Sequence, residues 1–266
     1  MLWTYPRALE PGIFVKRYKR FFTDVERSCG LLETVHCANS GSMLSCLDER
    51  CPVFTLDSQN PERKLRHSLE LMKYQDGFAC LNTARANQIV EVFLNHAFTF
   101  ANTVKSQHIA HLDSFQQKLI HTDFLHFGLP KRESVYLPGT RFDFSCDNAH
   151  QEQKHWIEVK SVSLRLGSGS LAFPDAKTER GQKHLVQLTH AASLQQRSTL
   201  IFVAMRGSET SPHEIAQNFK IAGHIDPVYL RYFKEAVASG VQIRILVPDI
   251  SPTGFGLRGY FNFASF

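Results

Sequence analysis

The sequence predicts an α/β protein, α+β overall, in which a small β barrel precedes a larger layer of strands and helices built on a mixed central sheet. Three observations carry this. Residues 12–81 are a succession of short β segments broken by turn residues. After Leu81 the apolar spacing changes to that of an amphipathic helix. Beyond residue 130, strand-like and helix-like segments alternate, which is the signature of an α/β layer with a mixed sheet.

The elements follow in order. Residues 13–25, 31–37, 51–56, 68–74 and 78–81 read as strands, with Asp76-Gly77 as the turn before the last. Five short strands of this kind suggest an OB-like barrel, an architecture that hosts oligonucleotides. In residues 83–94 the apolar positions Ala86, Ile89, Val90 and Phe93 fall on one helical face, with Thr83 as the N-cap. Residues 95–130 are rich in His and Phe, weakly periodic, and hold one helix near 114–121. Strands are expected at 133–137, 141–146 and 155–164, a flexible loop at Gly167–Ser170, and a helix at 178–197 with Leu185, Leu188 and Ala192 on one face. A buried strand at 198–205, a helix at 227–239 and a strand at 241–247 complete the pattern. The expected division is a barrel over 1–81 and an α/β domain over 82–266.

Composition narrows the function classes. The chain has 266 residues, 43% apolar and 21% charged, which supports a full core and excludes intrinsic disorder. Its longest apolar run, near 200–205, is far too short to span a bilayer. The start, MLWTYPRALEPG, has no apolar stretch behind a basic end, so a cytoplasmic protein without a membrane partner is expected. None of the six cysteines forms a Cys-x-x-Cys pair, and free thiols are expected. Cys37, Cys46 and Cys51 with His36 have the wrong spacing for a zinc knuckle or ribbon. The net charge of +5 permits a polyanionic partner without demanding one.

The chemistry concentrates in Arg-Phe-Asp-Phe at 141–144 and Ile-Glu-Val-Lys-Ser at 157–161. On a strand, Glu158 and Lys160 share one face while Ile157 and Val159 face the core. Phe142 and Phe144 likewise flank Asp143. If the two strands are neighbours, Asp143, Glu158 and Lys160 converge at one edge of the sheet. Two hard carboxylates suit Mg²⁺ or Mn²⁺, and an ammonium beside them can position water and stabilise charge growing on a phosphate. Glu133, on a preceding strand, could add a further ligand. This layout resembles the PD-(D/E)xK nuclease superfamily, although Glu-x-Lys alone is common on solvated strand edges.

The flanks add specificity. The run IEVKSVSL, then FPDAKTERGQKHLVQL at 173–188, is similar to the sugar fermentation stimulation protein A family. So are RYKRF at 17–21, Asp24-Val25, Thr34-Val35-His36-Cys37, Gly41-Ser42-Met43, Arg63-Lys64, and Leu81-Asn82-Thr83 with Ala86-Asn87. Where that family usually reads His-Cys-Pro-Asn-Thr-Gly, residues 36–41 read His-Cys-Ala-Asn-Ser-Gly. Residues 95–131 and the tail beyond Pro248 look like additions, the first as a cap on the site or a dimer contact. The resemblance implies an OB-type domain, a PD-(D/E)xK-like domain, DNA binding and a link to genes of carbohydrate use. It implies a nuclease-type site of Glu133, Asp143, Glu158 and Lys160, with Arg180, Gln182 and His184 on the helix beside it.

For DNA, or RNA as the alternative, the basic run Lys16, Arg17, Lys19 and Arg20 offers phosphate contacts, and Tyr18 offers a ring for a base. Arg63 and Lys64 form a second basic run. Arg180 and His184 lie one helical turn apart, suited to a phosphate, and Asp175 could cap that helix. Asn39 and Ser42 are expected to hold a turn. The expected function is a DNA-binding protein with a Mg²⁺- or Mn²⁺-dependent phosphodiesterase site. The alternative is a non-catalytic DNA-binding regulator that keeps the nuclease fold. A homodimer is left open.

Overall fold

The structure, a computed structural model, describes residues 1–102, 107–207 and 209–264. A two-residue strand, β1 (Trp3–Thr4), precedes the barrel. The barrel strands are β2 (Glu10–Tyr18), β3 (Phe22–Glu26), β4 (Leu32–Cys37), β5 (Pro52–Asp57) and β6 (His67–Tyr74). Pairings run β4-β3-β2-β5-β6 and close through a parallel β4–β6 contact, which gives a five-stranded barrel with β7 (Gly77–Cys80) added beside β6. Alternation drives the closure. Phe14, Val25, Val35, Cys37, Val53, Leu69 and Met72 turn inward and are buried. The single strand expected over 13–25 is instead a hairpin. Lys19 and Arg20 take left-handed backbone conformations at φ 47° and 64° and turn β2 into β3.

Three helices follow, α1 (Ala84–Asn102), α2 (Gln107–Ala110) and α3 (Ser114–Phe124). Thr83 is not the cap that its position predicts: its hydroxyl donates to the Ala38 carbonyl of the barrel, while the Asn82 side chain accepts from the Ala84 N–H. Next come β8 (Lys131–Leu137), β9 (Thr140–Asp147), β10 (Lys154–Val162), β11 (Leu164–Arg165), β12 (Leu171–Phe173), α4 (Glu179–Ser193) and β13 (Arg197–Ala204). The chain ends with α5 (Pro212–Gln217), β14 (Lys220–Ile221), α6 (Pro227–Ala238), β15 (Gln242–Ser251) and β16 (Gly254–Asn262). The large sheet has the order β1-β16-β15-β13-β10-β9-β8. Its centre, β10-β13-β15, is parallel and its flanks are antiparallel, so it is mixed.

The sheet has a core on each face. Phe93, Phe98, Ile120 and Phe124 of α1 and α3 cover Ile157, Val159, Ile201 and Val203. Leu185, Leu188, Tyr229 and Phe233 of α4 and α6 cover Trp156, Leu200, Phe202 and Ile245. Two expectations are corrected here. The described part of 95–131 supplies one of these helical covers instead of capping the site; residues 103–106 lie outside the described residues. The tail is β16, a full member of the sheet that pairs with β15 and with β1. Residues 3–4 therefore belong to the second layer, not to the barrel in which the 1–81 boundary places them. No helix among the described residues is long and apolar enough to cross a membrane.

Barrel and sheet are stitched together by polar contacts. The Cys80 N–H donates to the Met205 carbonyl at 2.8 Å, and the Ser45 hydroxyl accepts from the Arg165 N–H at 2.9 Å. Ser42 Oγ donates to the Asp175 carbonyl at 2.6 Å, and the Met43 N–H donates to Asp175 Oδ2 at 3.1 Å. Asp175 thus holds the barrel loop instead of capping α4, whose N-cap is Thr178. Gly41 leaves room for this contact: a Cβ there would lie 2.3 Å from an Asp175 carboxylate oxygen and would displace the carboxylate.

Candidate active site

Strands β9 and β10 pair only as far as Phe144↔Ile157. Beyond that point they part, and the Val159 N–H has no β9 carbonyl to meet. Asp143 supplies the acceptor: its Oδ2 takes the Val159 N–H at 2.8 Å, and its Oδ1 takes Asn87 Nδ2 of α1 at 2.7 Å. The strand rotates at this residue. Phe142 enters the α4/α6 core and Phe144 the α1/α3 core, so the two rings do not share a face as simple alternation predicts.

Glu158 and Lys160 do share a face, and α4 packs His184 against it. Lys160 Nζ and His184 Nδ1 both hydrogen-bond Glu158 Oε1, and they lie 3.3 Å apart. Glu158 is 2% exposed, and its second oxygen, Oε2, is buried without a hydrogen-bond partner. An orphaned carboxylate oxygen in a protein interior is costly and calls for a partner.

Electrostatics distinguish the two acids. Burial raises the Asp143 carboxyl, the neighbouring Glu158 charge raises it further, and Lys160 offsets only part of this, leaving it at about 6. Burial also pushes Glu158 up, but Lys160 and His184 outweigh it and hold that carboxyl below its usual range. Folded, Asp143 ionises near pH 6; unfolded, it ionises near 3.8. Its contribution to stability is therefore greatest below pH 3.8, is lost as pH rises through that interval, and stays lost above about 6. Asp143→Asn, measured in EDTA, is expected to raise stability by about 1–3 kcal/mol at about pH 7.5, with the gain gone near pH 4. Chemical denaturation at the two pH values checks this.

Asp143, Glu158 and Lys160 line a cleft of about 340 Å³ between barrel and sheet. Asn39 and Gly41 form its barrel wall, Thr83 and Asn87 come from the start of α1, and Asp175 and Arg180 from the other side. Asn39 holds the turn expected of it, accepting the Gly41 N–H at 2.8 Å. Arg180 also lines a second cleft, of about 610 Å³, together with His184, Glu133, Arg141 and Lys183. Glu133 is exposed, has a left-handed backbone at φ 47°, and lines this second cleft instead of the one holding Asp143 and Glu158.

Other expected contacts divide. Gln182 Nε2 donates to both oxygens of Asp226, the N-cap of α6, so it joins two helices and lies in neither cleft. Arg17 spends its guanidinium on the carbonyls of Arg20, Asn39, Gly41 and Ser42, which shapes the loop at the cleft wall. Lys16, Tyr18, Lys19, Arg20, Arg63 and Lys64 are exposed on the barrel. Cys37 and Cys46 lie inside the barrel core while His36 faces outward, so they and Cys51, a free thiol, do not gather around it. Sequence reasoning missed Asn87. Its signal was its place at the edge of the apolar face of α1, one position after Ala86.

A closed five-stranded OB-type barrel joined to a mixed, helix-covered sheet, with an Asp…Glu-x-Lys cleft between them, defines a two-part fold. Two family models cover most of the chain: one described as the SfsA N-terminal OB domain matches residues 15–81, and one described as the sugar fermentation stimulation protein RE domain matches residues 85–254. A sugar fermentation stimulation protein homolog of Shewanella sp. (strain MR-4) is 38% identical over 247 residues, 92% of each chain. Its counterpart in Ectopseudomonas mendocina (strain ymp) is 36% identical over 259 residues, 94% of each. The solved structure of Pyrococcus furiosus SfsA in complex with Ca²⁺ covers 99% of both chains at 21% identity with a TM-score of 0.77, which shows the shared fold. The chain belongs to the sugar fermentation stimulation protein family.

Proposed function

We propose that this protein binds DNA and hydrolyses phosphodiester bonds at a divalent-cation site held by Asp143 and Glu158. The observation that carries the reading is the buried acidic pair itself. Glu158 keeps an unpartnered oxygen, and Asp143 is destabilised by the charge beside it. These are the properties of a donor set completed by a cation, and hard carboxylate oxygens suit Mg²⁺ or Mn²⁺. The solved Pyrococcus furiosus SfsA structure is a complex with Ca²⁺, which is consistent with such a donor set. A cation bound there would polarise the phosphate and acidify its bound water.

The chain's own groups complete the site. Lys160 holds an ammonium beside Glu158, where it can orient a water and meet charge growing on the phosphate. His184 fixes the Glu158 carboxylate from α4, and Asn87 fixes Asp143 from α1. Arg180 is exposed at the rim, placed for a neighbouring phosphate. The family resemblance, which implies DNA binding and a link to genes of carbohydrate use, supports DNA as the polymer, with RNA to be compared.

The test incubates end-labelled single- and double-stranded DNA and RNA with Mg²⁺, Mn²⁺ or EDTA. Metal-dependent cleavage, lowered by about 100-fold or more in Lys160→Ala, is expected. Retarded but intact DNA under every condition would overturn the catalytic part and leave a non-catalytic DNA-binding regulator.

A further inference from the structure

The outer face of the barrel carries a row of aromatic rings, of which Tyr18 is also anchored by its hydroxyl to Asp24 at 3.2 Å. Tyr18 of β2 is paired in register with Phe22 of β3, and Phe22 with His36 of β4, so three rings cross three adjacent strands. Tyr18 and Phe22 stack at 5.6 Å with planes 18° apart. Phe21, at the edge of the row, stacks on His36 at 6.4 Å and 17°. Tyr18 is 36% and Phe21 43% exposed, and they are the exposed aromatic side chains among the barrel's large hydrophobics. Burial and the nearby Arg63 charge hold the His36 ring below its ordinary pKa, so near neutral pH it presents an uncharged aromatic face.

Cations frame the row. Lys16 Nζ lies 5.6 Å from the centre of the Tyr18 ring. Lys19 and Arg20 project from the β2–β3 turn, are exposed, and make no ion pair among the described residues. Flat apolar faces rimmed by positive charge complement one ligand chemistry, unpaired bases on a phosphate chain. A duplex hides its base faces in its own stack; a single strand offers them.

The row also leads somewhere. His36 and Asn39 are three residues apart, at most about 11 Å. Asn39 and Gly41 wall the Asp143–Glu158 cleft, and Arg17 fixes the loop between by binding its carbonyls.

We infer that the polymer handled by this protein is a single-stranded polynucleotide, whose bases stack on Tyr18, Phe22, His36 and Phe21 while its backbone runs past Asn39 into the cleft. This rests on the nucleic-acid reading of the cleft and adds the form of the substrate.

The test uses the full chain in EDTA, with labelled single-stranded DNA, single-stranded RNA and blunt duplex DNA of equal length. A second set of single strands carries 2-aminopurine, whose fluorescence is quenched by stacking. The wild type is expected to bind a single strand at least about 10-fold tighter than duplex and to quench 2-aminopurine. Phe21→Ala and Tyr18→Ala should each weaken single-strand binding about 5- to 100-fold and relieve the quenching, with duplex binding unchanged. Phe21 is the more exposed ring, so thermal melting of Phe21→Ala should match the wild type. Tyr18→Phe, which keeps the ring and loses only the hydroxyl with its bond to Asp24, should bind single strands as the wild type does. The DNA and RNA arms show which strand is preferred. Equal affinity for duplex, or unchanged single-strand affinity in both variants, would overturn the inference. Metal-dependent cleavage of duplex alongside that result would leave the function standing. Binding to no nucleic acid would remove both.

Discussion

The Glu158→Gln protein is expected to fold, to bind DNA at least as tightly as the wild type, and to lose metal-dependent cleavage by about two to three orders of magnitude. Gln has the size of Glu and keeps a carbonyl oxygen for Lys160 and His184, which meet at one oxygen of residue 158. What it lacks is the negative charge and the second carboxylate oxygen, now buried and unpartnered. A hard cation gains little from an amide in that place. Removing an anion from a cleft that receives phosphates lowers repulsion, so affinity for the polymer holds or rises while turnover falls. Electrophoretic mobility and cleavage, measured on the same preparation, separate the two. Parallel loss of both would point to a collapsed site.

Asp123→Ala is expected to cost about 3–5 kcal/mol of stability with no direct effect on the cleft. Asp123, in the helix α3 that covers the sheet, is fully buried and accepts two bonds from Arg244 of β15, both at 2.7 Å. It also accepts the Tyr260 hydroxyl of β16 at 2.9 Å. Alanine leaves the Arg244 guanidinium buried, 7% exposed, without its carboxylate. Truncating one partner of such a pair costs far more than the pair contributes, because the remaining charge stays desolvated. Urea denaturation should show the lower midpoint, and a loss below about 1 kcal/mol would contradict this account of how the tail is held.

This network also shows where sequence pattern stops being informative. Glu158 and Lys160 are legible because strand alternation is a local rule, and Ile157 and Val159 mark the opposite face. The barrel is legible from its short alternating strands. Asp143 is harder: its position depends on two strands parting at Phe144↔Ile157, a tertiary event that also sends Phe142 and Phe144 to different cores. Residues 95–131 and the tail look like additions in the sequence, yet the family model runs from 85 to 254 and both segments are built into the second layer, one packing on Ile157 and Ile201 and the other pairing with β15 and β1. Asp123 meets Arg244 and Tyr260 across 121 and 137 positions, beyond the reach of any periodicity. Asp175 stands in sequence where a cap of the following helix would, whereas its partners are Ser42 and Met43 of the barrel. Arg17 and Gln182 have the right chemistry for phosphates, yet both satisfy nearby acceptors within the fold.

The most direct measurement is a calorimetric Mn²⁺ titration of the wild type and of Asp143→Ala without nucleic acid, repeated across the range in which Asp143 ionises. The account predicts saturable binding by the wild type that strengthens as pH rises through about 6, because the cation and the Asp143 proton compete for the same oxygens. It predicts that this binding is lost in Asp143→Ala. Undiminished Mn²⁺ binding by the variant, or wild-type binding indifferent to pH across that interval, would contradict a cation site built on Asp143 and Glu158.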